Sequence, residues 1–350
     1  MSNMRINRVV FDKNIFINYT KIVDVRSENE FLEDCIPSSI NLPVLNNKER
    51  IIIGTQYKEN SFDARKQGAA IISHNISKII LKDIFKKEDK ILIYCWRGGL
   101  RSLSLYLVLK QIGFNVELLE GGYKSYRKYI VNFFNNEINK FQFNQIKGVT
   151  GVGKTLFLNI LKDYASVLDL EGIAKHKGSI LGDIPKQKQP SQKLFETELF
   201  TKLMLLGTKN IIWVESESIK IGKLNIPSNL WRKMGEGLSV KLNSSLKERV
   251  SFILKDYKYF TKEPSLMKNA MRVLKRIIQR EDYSVIEKNL LKGDYSKFVE
   301  SLIVHHYDKA YKKTRSEVND NHDNIINIDQ INKKTFLEVI KTNNFFNQND

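Results

Sequence analysis

Cysteine is scarce in this sequence: Cys35 and Cys95 are the two among 350 residues, which excludes a disulfide framework as the source of stability. No apolar run approaches the roughly 18 residues that a membrane helix needs. The opening MSNMRINRVVFDKNIF has no apolar core followed by small residues, so a secretory signal is not expected, and the location expected is cytoplasmic with no membrane partner. Pro-rich and Gly/Ser-rich linkers are missing, as are internal repeats of about 20 to 50 residues, which excludes solenoids. His305-His306 has no cysteine or carboxylate pattern at metal-ligand spacing, so neither is read as a ligand and no metal is firmly assigned. Acidic residues are also short, 39 against 57 basic ones, leaving a net charge of +18. A field of one sign favours a polyanionic partner, nucleic acid or an anionic membrane. The length of 350 residues is large for one core and suggests two domains.

What is present is an alternation of short apolar runs with helical patterns, which implies parallel α/β sheets. Residues 21–26 (KIVDVR) read as a strand and 28–33 as a short helical turn. Ile36-Pro37 and Asn41-Leu42-Pro43 mark an irregular segment, because proline donates no ladder bond and restricts the residue before it. Helical patterns over 63–76 and 79–85 precede a strand at Lys90–Tyr94, a helix over 102–112 and a strand over 116–119. Glu120-Gly121-Gly122-Tyr123 closes this domain, and a helix over 124–136 leads out of it.

Its chemistry is placed at Tyr94-Cys95-Trp96-Arg97-Gly98-Gly99-Leu100-Arg101-Ser102, where a strand turns into a helix. Two glycines let the turn curl so that backbone N–H groups converge, and the helix N-terminus adds partial positive charge. A thiolate at Cys95 and an anion above it are both favoured there, with Arg97 and Arg101 as fixed charges able to fork onto oxyanions. The expectation is a low-pKa nucleophile in an anion cradle. The plain alternative is a buried structural cysteine, which would not need two glycines and two arginines after it.

A second α/β unit opens with a strand over 142–147, followed by Gly148-Val149-Thr150-Gly151-Val152-Gly153-Lys154-Thr155 and an apolar helix over 156–164. This is the G-x-x-x-x-G-K-[ST] spacing of a phosphate-binding P-loop in its strand–loop–helix setting. Backbone N–H groups of the loop would cradle a diphosphate, Lys154 would neutralise its outer oxygens, and Thr155 would hold Mg2+. The strand over 210–214 ends at Glu215, the candidate for a magnesium-side or phosphate-side acid, with Asp169 and Glu171 as rivals, each readable as a solvated cap. Basic helical patterns follow to about residue 315. In 268–280, Met271, Val273, Leu274, Ile277 and Ile278 form the expected buried face and Arg272, Lys275, Arg276 and Arg280 the charged one. Tyr257, Tyr259, Phe260, Tyr307 and Tyr311 read either as a stacking surface for single-stranded nucleic acid or as core. The tail over 341–350 is polar and expected to fray.

Asp24-Val25-Arg26-Ser27, the Ile36-Pro37 to Pro43 segment, the Cys95 loop and Glu120-Gly121-Gly122-Tyr123 together resemble a rhodanese. Joined to the P-loop unit, they resemble the tRNA 2-selenouridine synthase family. Further stretches carry that resemblance: Glu49-Arg50, Gly54-Thr55 and Tyr57-Lys58, then Asp169 to Gly172, His176 to Ser179, Pro190-Ser191-Gln192, and Val214 to Ser218 with Ile221-Gly222. They span about residues 20 to 310. The organisation implied is a rhodanese-like parallel-sheet domain over 1–135, a P-loop NTPase-like α/β core over 136–225, and a mainly helical, tRNA-contacting part over 226–350.

The resemblance implies replacement of sulfur by selenium in wobble 2-thiouridine of tRNA, with selenophosphate as donor and an S-geranyl-2-thiouridine intermediate made from geranyl diphosphate. No tightly bound cofactor is expected, and a selenophosphate-producing enzyme is a candidate partner. By the same resemblance Cys95 is the rhodanese-site cysteine. Cys35 stands where rhodaneses commonly have histidine and is read as packing. The Cys95-to-Arg101 loop has the C-x5-R length of rhodanese-like phosphatases. A phosphatase using Cys95 as nucleophile, or an ATP-dependent sulfurtransferase or kinase using the P-loop, are therefore the other classes.

Overall fold

The computed structural model describes residues 6–179, 182–258, 264–315 and 324–346. They fall into two compact units, one running to Glu137 and taking in Pro190–Thr201, the other comprising Ile138–Gln189 and the residues from Lys202 onward.

In the first unit, strands β1 (Arg8–Val9), β2 (Lys21–Asp24), β3 (Ser39–Asn41), β4 (Lys90–Tyr94) and β5 (Asn115–Leu119) form one parallel sheet in the order β1-β5-β4-β2-β3. The central β4 is KILIY, buried from Ile91 to Tyr94, as a strand covered on both faces must be. Val23, Ile91, Ile93, Leu105, Leu109 and Val116 are part of its core. Helix Leu100–Ile112 stops at Gly113, whose left-handed backbone returns its N–H to the carbonyls of Leu109 and Lys110.

The structure departs from the sequence reading in two helices here. Asn47–Glu59 is helical, begun by a reciprocal Asn46 and Glu49 capping box, yet buries none of its residues, so it shows no apolar stripe to read. Ser61–Ile80 is a single helix, and no second helix spans 79–85: the chain turns after Ile80, although Ile79 and Phe85 remain in the core. The unit is also discontinuous. Glu196 pairs with Arg127, the Tyr126 hydroxyl lies 3.1 Å from Thr197 Oγ1, and Phe200 meets Phe133 edge-on, which ties residues 190–201 to helix Gly122–Asn135.

In the second unit, β6 (Gln142–Lys147), β7 (Val167–Leu168) and β8 (Ile211–Glu215) are followed by an antiparallel ribbon of β9 (Lys220–Ile221) and β10 (Leu224–Asn225), then β11 (Ser239–Asn243) and β12 (Asn324–Asn327). The sheet order is β12-β11-β6-β8-β7, all parallel. The P-loop sheet therefore runs past residue 225, where its core was expected to end, because β11 and β12 complete it from within the supposedly helical part. Helices Leu246–Asp256, Pro264–Ile277, Arg280–Leu291, Tyr295–Leu302 and Asp308–Arg315 make up most of the remainder, around a separate apolar cluster of Leu274, Ile286, Phe298 and Ile303.

The helix expected over 268–280 breaks at Ile278, and its apolar face is narrower than expected: Met271 and Leu274 are buried, while Val273 and Ile277 are exposed. The tail is anchored rather than frayed up to Phe346, which is fully buried against Phe157 and Trp213. Residues 347–350, Tyr259 and Phe260 lie outside the described residues. Among the described residues no helix is long and apolar enough to cross a membrane.

Candidate functional site

Both candidate sites lie at the carboxyl end of a central parallel strand, where an α/β sheet leaves its crevice. In the first unit, β4 ends at Tyr94 and Cys95 follows, 3 % exposed. Its sulfur accepts from the Gly99 N–H at 3.2 Å and from the Ser102 hydroxyl at 3.2 Å, so two donors complement negative charge on it. The other side of the loop is held by the next helix: Tyr123 N–H donates to the Cys95 carbonyl at 2.8 Å and Lys124 N–H to that of Trp96 at 3.0 Å. This contact explains Gly122. A Cβ on Gly122 would stand 2.2 Å from the Cys95 carbonyl oxygen, and its φ of +59° is the left-handed conformation.

Arg97 is exposed beside the cysteine. Arg101 is not free for an oxyanion: its guanidinium forks onto Glu30 at 2.7 and 3.3 Å. Burial pushes the Glu30 carboxyl up, but the bonds and charge of Arg101, the Ser27 N–H and Arg50 outweigh it and hold the group below the usual carboxylate range. Arg26 is wholly buried, donating to both Asp24 oxygens and stacking 4.0 Å above the Tyr123 ring, while Tyr123 donates to Asp34 at 2.7 Å and packs on Trp96. The Asp-Val-Arg and Gly-Gly-Tyr stretches thus brace the cysteine loop from beneath. Cys35 is half-buried, and burial foremost pushes its thiol up to about 11, which leaves it a poor nucleophile.

In the second unit the P-loop leaves β6 and enters helix Lys154–Leu161. Gly148, Gly151 and Gly153 have φ of +152°, +85° and +82°, the positive angles a loop needs to turn its amides inward. Lys154 Nζ lies 2.9 Å from the Gly148 carbonyl, and Thr155 Oγ1 donates to Glu171 at 2.8 Å. The register of β8 against β6 sets Glu215 level with Ile146, directly under the loop, and Glu215 Oε2 lies 3.5 Å from Thr155 Oγ1. Glu171, Glu215 and Glu217 converge, their oxygens within 4.8 Å of one another.

Of the three acids put forward from the sequence, Asp169 stays apart: it caps helix Leu170–Ala174 through the Gly172 N–H and pairs with Lys162. Glu217 takes its place; it lies past the strand end in a polar run, where no pattern in the sequence marks it. Burial raises all three pKa values, the neighbouring carboxylates add to it for Glu171 and Glu215, and Lys154 opposes it; Glu171 is pushed up to about 7. Gly178 closes over the cluster, since a Cβ there would lie 2.7 Å from oxygens of both Glu171 and Glu217. Such a hard-oxygen set beside a P-loop threonine fits Mg2+ carried with a phosphate ligand.

The cleft above the loop encloses about 460 Å³ and is lined by Lys154, Thr155, Glu171, Lys177, Glu217 and Tyr257, among others. Lys177 pairs with Asp256 at 2.7 Å and sits 4.3 Å over the Tyr257 ring. Tyr257 and Tyr307, readable from the sequence as a stacking surface or as core, line this cleft.

A cysteine loop of rhodanese type in one unit and a P-loop with a carboxylate cluster in the next define a rhodanese–P-loop fusion. Family models divide the chain the same way, with a rhodanese-like domain over residues 10–129 and the tRNA 2-selenouridine synthase AAA domain over 141–271. The chain belongs to the tRNA 2-selenouridine synthase family. It is 33 % identical over 252 residues to the protein of that name from Shewanella pealeana, covering 70 % of this chain and 68 % of the relative. That from Nitrosomonas europaea is 32 % identical over 250 residues, 69 % of this chain and 65 % of the relative, so the match spans just under two thirds of its length. That from Sulfurovum is 27 % identical over 335 residues, 85 % and 90 % of the two chains.

Proposed function

We propose that the chain converts wobble 2-thiouridine of tRNA into 2-selenouridine, in two steps. First the thiocarbonyl sulfur attacks C1 of geranyl diphosphate; a C–S bond forms, the C–O bond breaks and diphosphate leaves. Selenophosphate then delivers selenium to C2 of the S-geranylated base, geranyl thiolate departs, and water takes the phosphoryl group to give phosphate. The observation that carries this reading is the pairing, in one member of this family, of a donor-lined cysteine loop with a P-loop. The P-loop and Lys154 suit the diphosphate of the first donor. Glu171, Glu215 and Glu217 would hold Mg2+ against it, and the metal would neutralise charge on the departing diphosphate. The turn at Cys95, with exposed Arg97, suits the selenium step. Exposed Arg272, Lys275 and Arg276 and the charge of +18 suit tRNA, whose single-stranded anticodon bases can be splayed out.

The test is mass spectrometry of nucleosides from 2-thiouridine tRNA incubated with the chain and geranyl diphosphate, selenophosphate, or both. S-geranyl-2-thiouridine with the first and 2-selenouridine with the pair are expected. Cys95→Ser should abolish selenation and keep tRNA binding; Lys154→Ala should slow geranylation roughly tenfold or more, having lost a charged hydrogen bond to the donor. Unchanged thiouridine from every mixture would sink the reading in favour of phosphatase or ATPase chemistry.

A further inference from the structure

Beside the phosphate cleft lies a second, smaller pocket of about 80 Å³ whose lining surface is mostly apolar. The two are continuous: Thr150, Ser179, Ile253, Tyr257 and Tyr307 line both. Beyond that shared rim the wall is Leu254, Met267, Tyr295, Phe298, Val299, Leu302 and Ile303, with Phe298, Leu302 and Ile303 almost fully buried. The rim also contains a backbone irregularity, one turn of π-helix over Ile303–Tyr307 between two α-helices, a device that redirects side chains and is common at functional sites. A polar cradle for phosphate that opens into an apolar slot matches one ligand chemistry, a diphosphate carrying a hydrocarbon chain. Nucleotides fit it poorly, because beyond the rim this wall offers a base a single hydroxyl, that of Tyr295.

We propose that this slot takes the far end of the hydrocarbon chain of the prenyl diphosphate whose phosphates occupy the P-loop, and that Phe298, Val299 and Leu302 set the chain length accepted. The proposal rests on geranyl diphosphate being the alkyl donor. The small volume of the slot favours a short chain over a long one, and every methylene taken out of water there adds to affinity.

The experiment is calorimetric titration of the full chain with inorganic diphosphate, geranyl diphosphate and farnesyl diphosphate, in wild type, Val299→Phe and Phe298→Ala. Filling the slot with Val299→Phe should weaken geranyl diphosphate roughly tenfold or more and leave inorganic diphosphate within about twofold. Opening it with Phe298→Ala should raise the farnesyl-to-geranyl affinity ratio roughly tenfold. If wild type binds geranyl diphosphate and neither variant alters selectivity, the slot is a packing defect of the helical bundle and the proposal falls, with the donor reading intact. If wild type holds geranyl diphosphate no better than inorganic diphosphate, the donor reading falls with it. The second variant keeps the test decisive should the overpacked one not fold.

Discussion

Glu171 sits where three carboxylates share one desolvated space, and its proton is set by burial first, then by Glu217, against the pull of Thr155 and Lys154. With its pKa pushed up to about 7, it holds a proton in the folded chain that the unfolded chain, near the ordinary glutamate value, has already lost. As pH rises from about 4.5 to 7 the folded state therefore binds more protons than the unfolded one, and stability falls across that window. Below it both states are protonated and nothing is lost; above it the loss is complete, on the order of 3 kcal/mol at most. Glu171→Gln keeps a neutral group in place and should flatten that slope. Chemical denaturation of the metal-free chain at pH 5 and pH 8 measures it, and an equally steep fall in the variant would assign the effect to other groups. Glu171 was legible as a candidate acid, but its partnership with Glu217 was not. That depends on a polar loop after β8 folding back under Gly178, which no periodicity encodes.

Helix Leu246–Asp256 is the element that ties the helical cluster to the phosphate loop. From it Arg249, 5 % exposed, donates Nε to the Thr150 carbonyl at 2.9 Å and both terminal nitrogens to Asp308 at 2.7 and 3.0 Å. A buried arginine costs stability unless each donor is matched, and here one end of the match is P-loop backbone. Arg249→Met keeps the packing and removes the bonds, so the loop should lose order: affinity for inorganic diphosphate should fall roughly ten- to a hundredfold, with faster amide exchange over 148–155. Full affinity in the variant would make the pair a brace for the helices alone. Elements read well from sequence where one signal was enough. The glycine spacing of the P-loop and the continuous apolar run of β4 each specify local geometry by themselves. Helix Asn47–Glu59, which buries nothing, and strand β12, four residues of Asn-Ile-Ile-Asn, show their place only through partners distant in sequence.

At the scale of the whole molecule the excess of basic residues is the property that composition alone displays, and it bears on how an RNA would be held. Affinity from phosphate contacts is counterion release, so its logarithm falls with the logarithm of salt by about 0.7 to 0.9 per phosphate neutralised. Helix Pro264–Ile277 presents Arg272, Lys275 and Arg276 to solvent, with Met271 and Leu274 facing inward, so removing these charges keeps the buried face and gives up one outer contact, that of Lys275 with the Tyr283 ring. For the tRNA substrate proposed above, the variant with all three changed to Ala should bind more weakly at low salt, and its salt slope should be shallower by about 2 to 3. Fluorescence anisotropy of labelled tRNA across a series of salt concentrations measures both. A slope equal to wild type would move the RNA off this helix. A weaker affinity with an unchanged slope would point to lost helix stability rather than lost phosphate contacts, because only contacts release counterions.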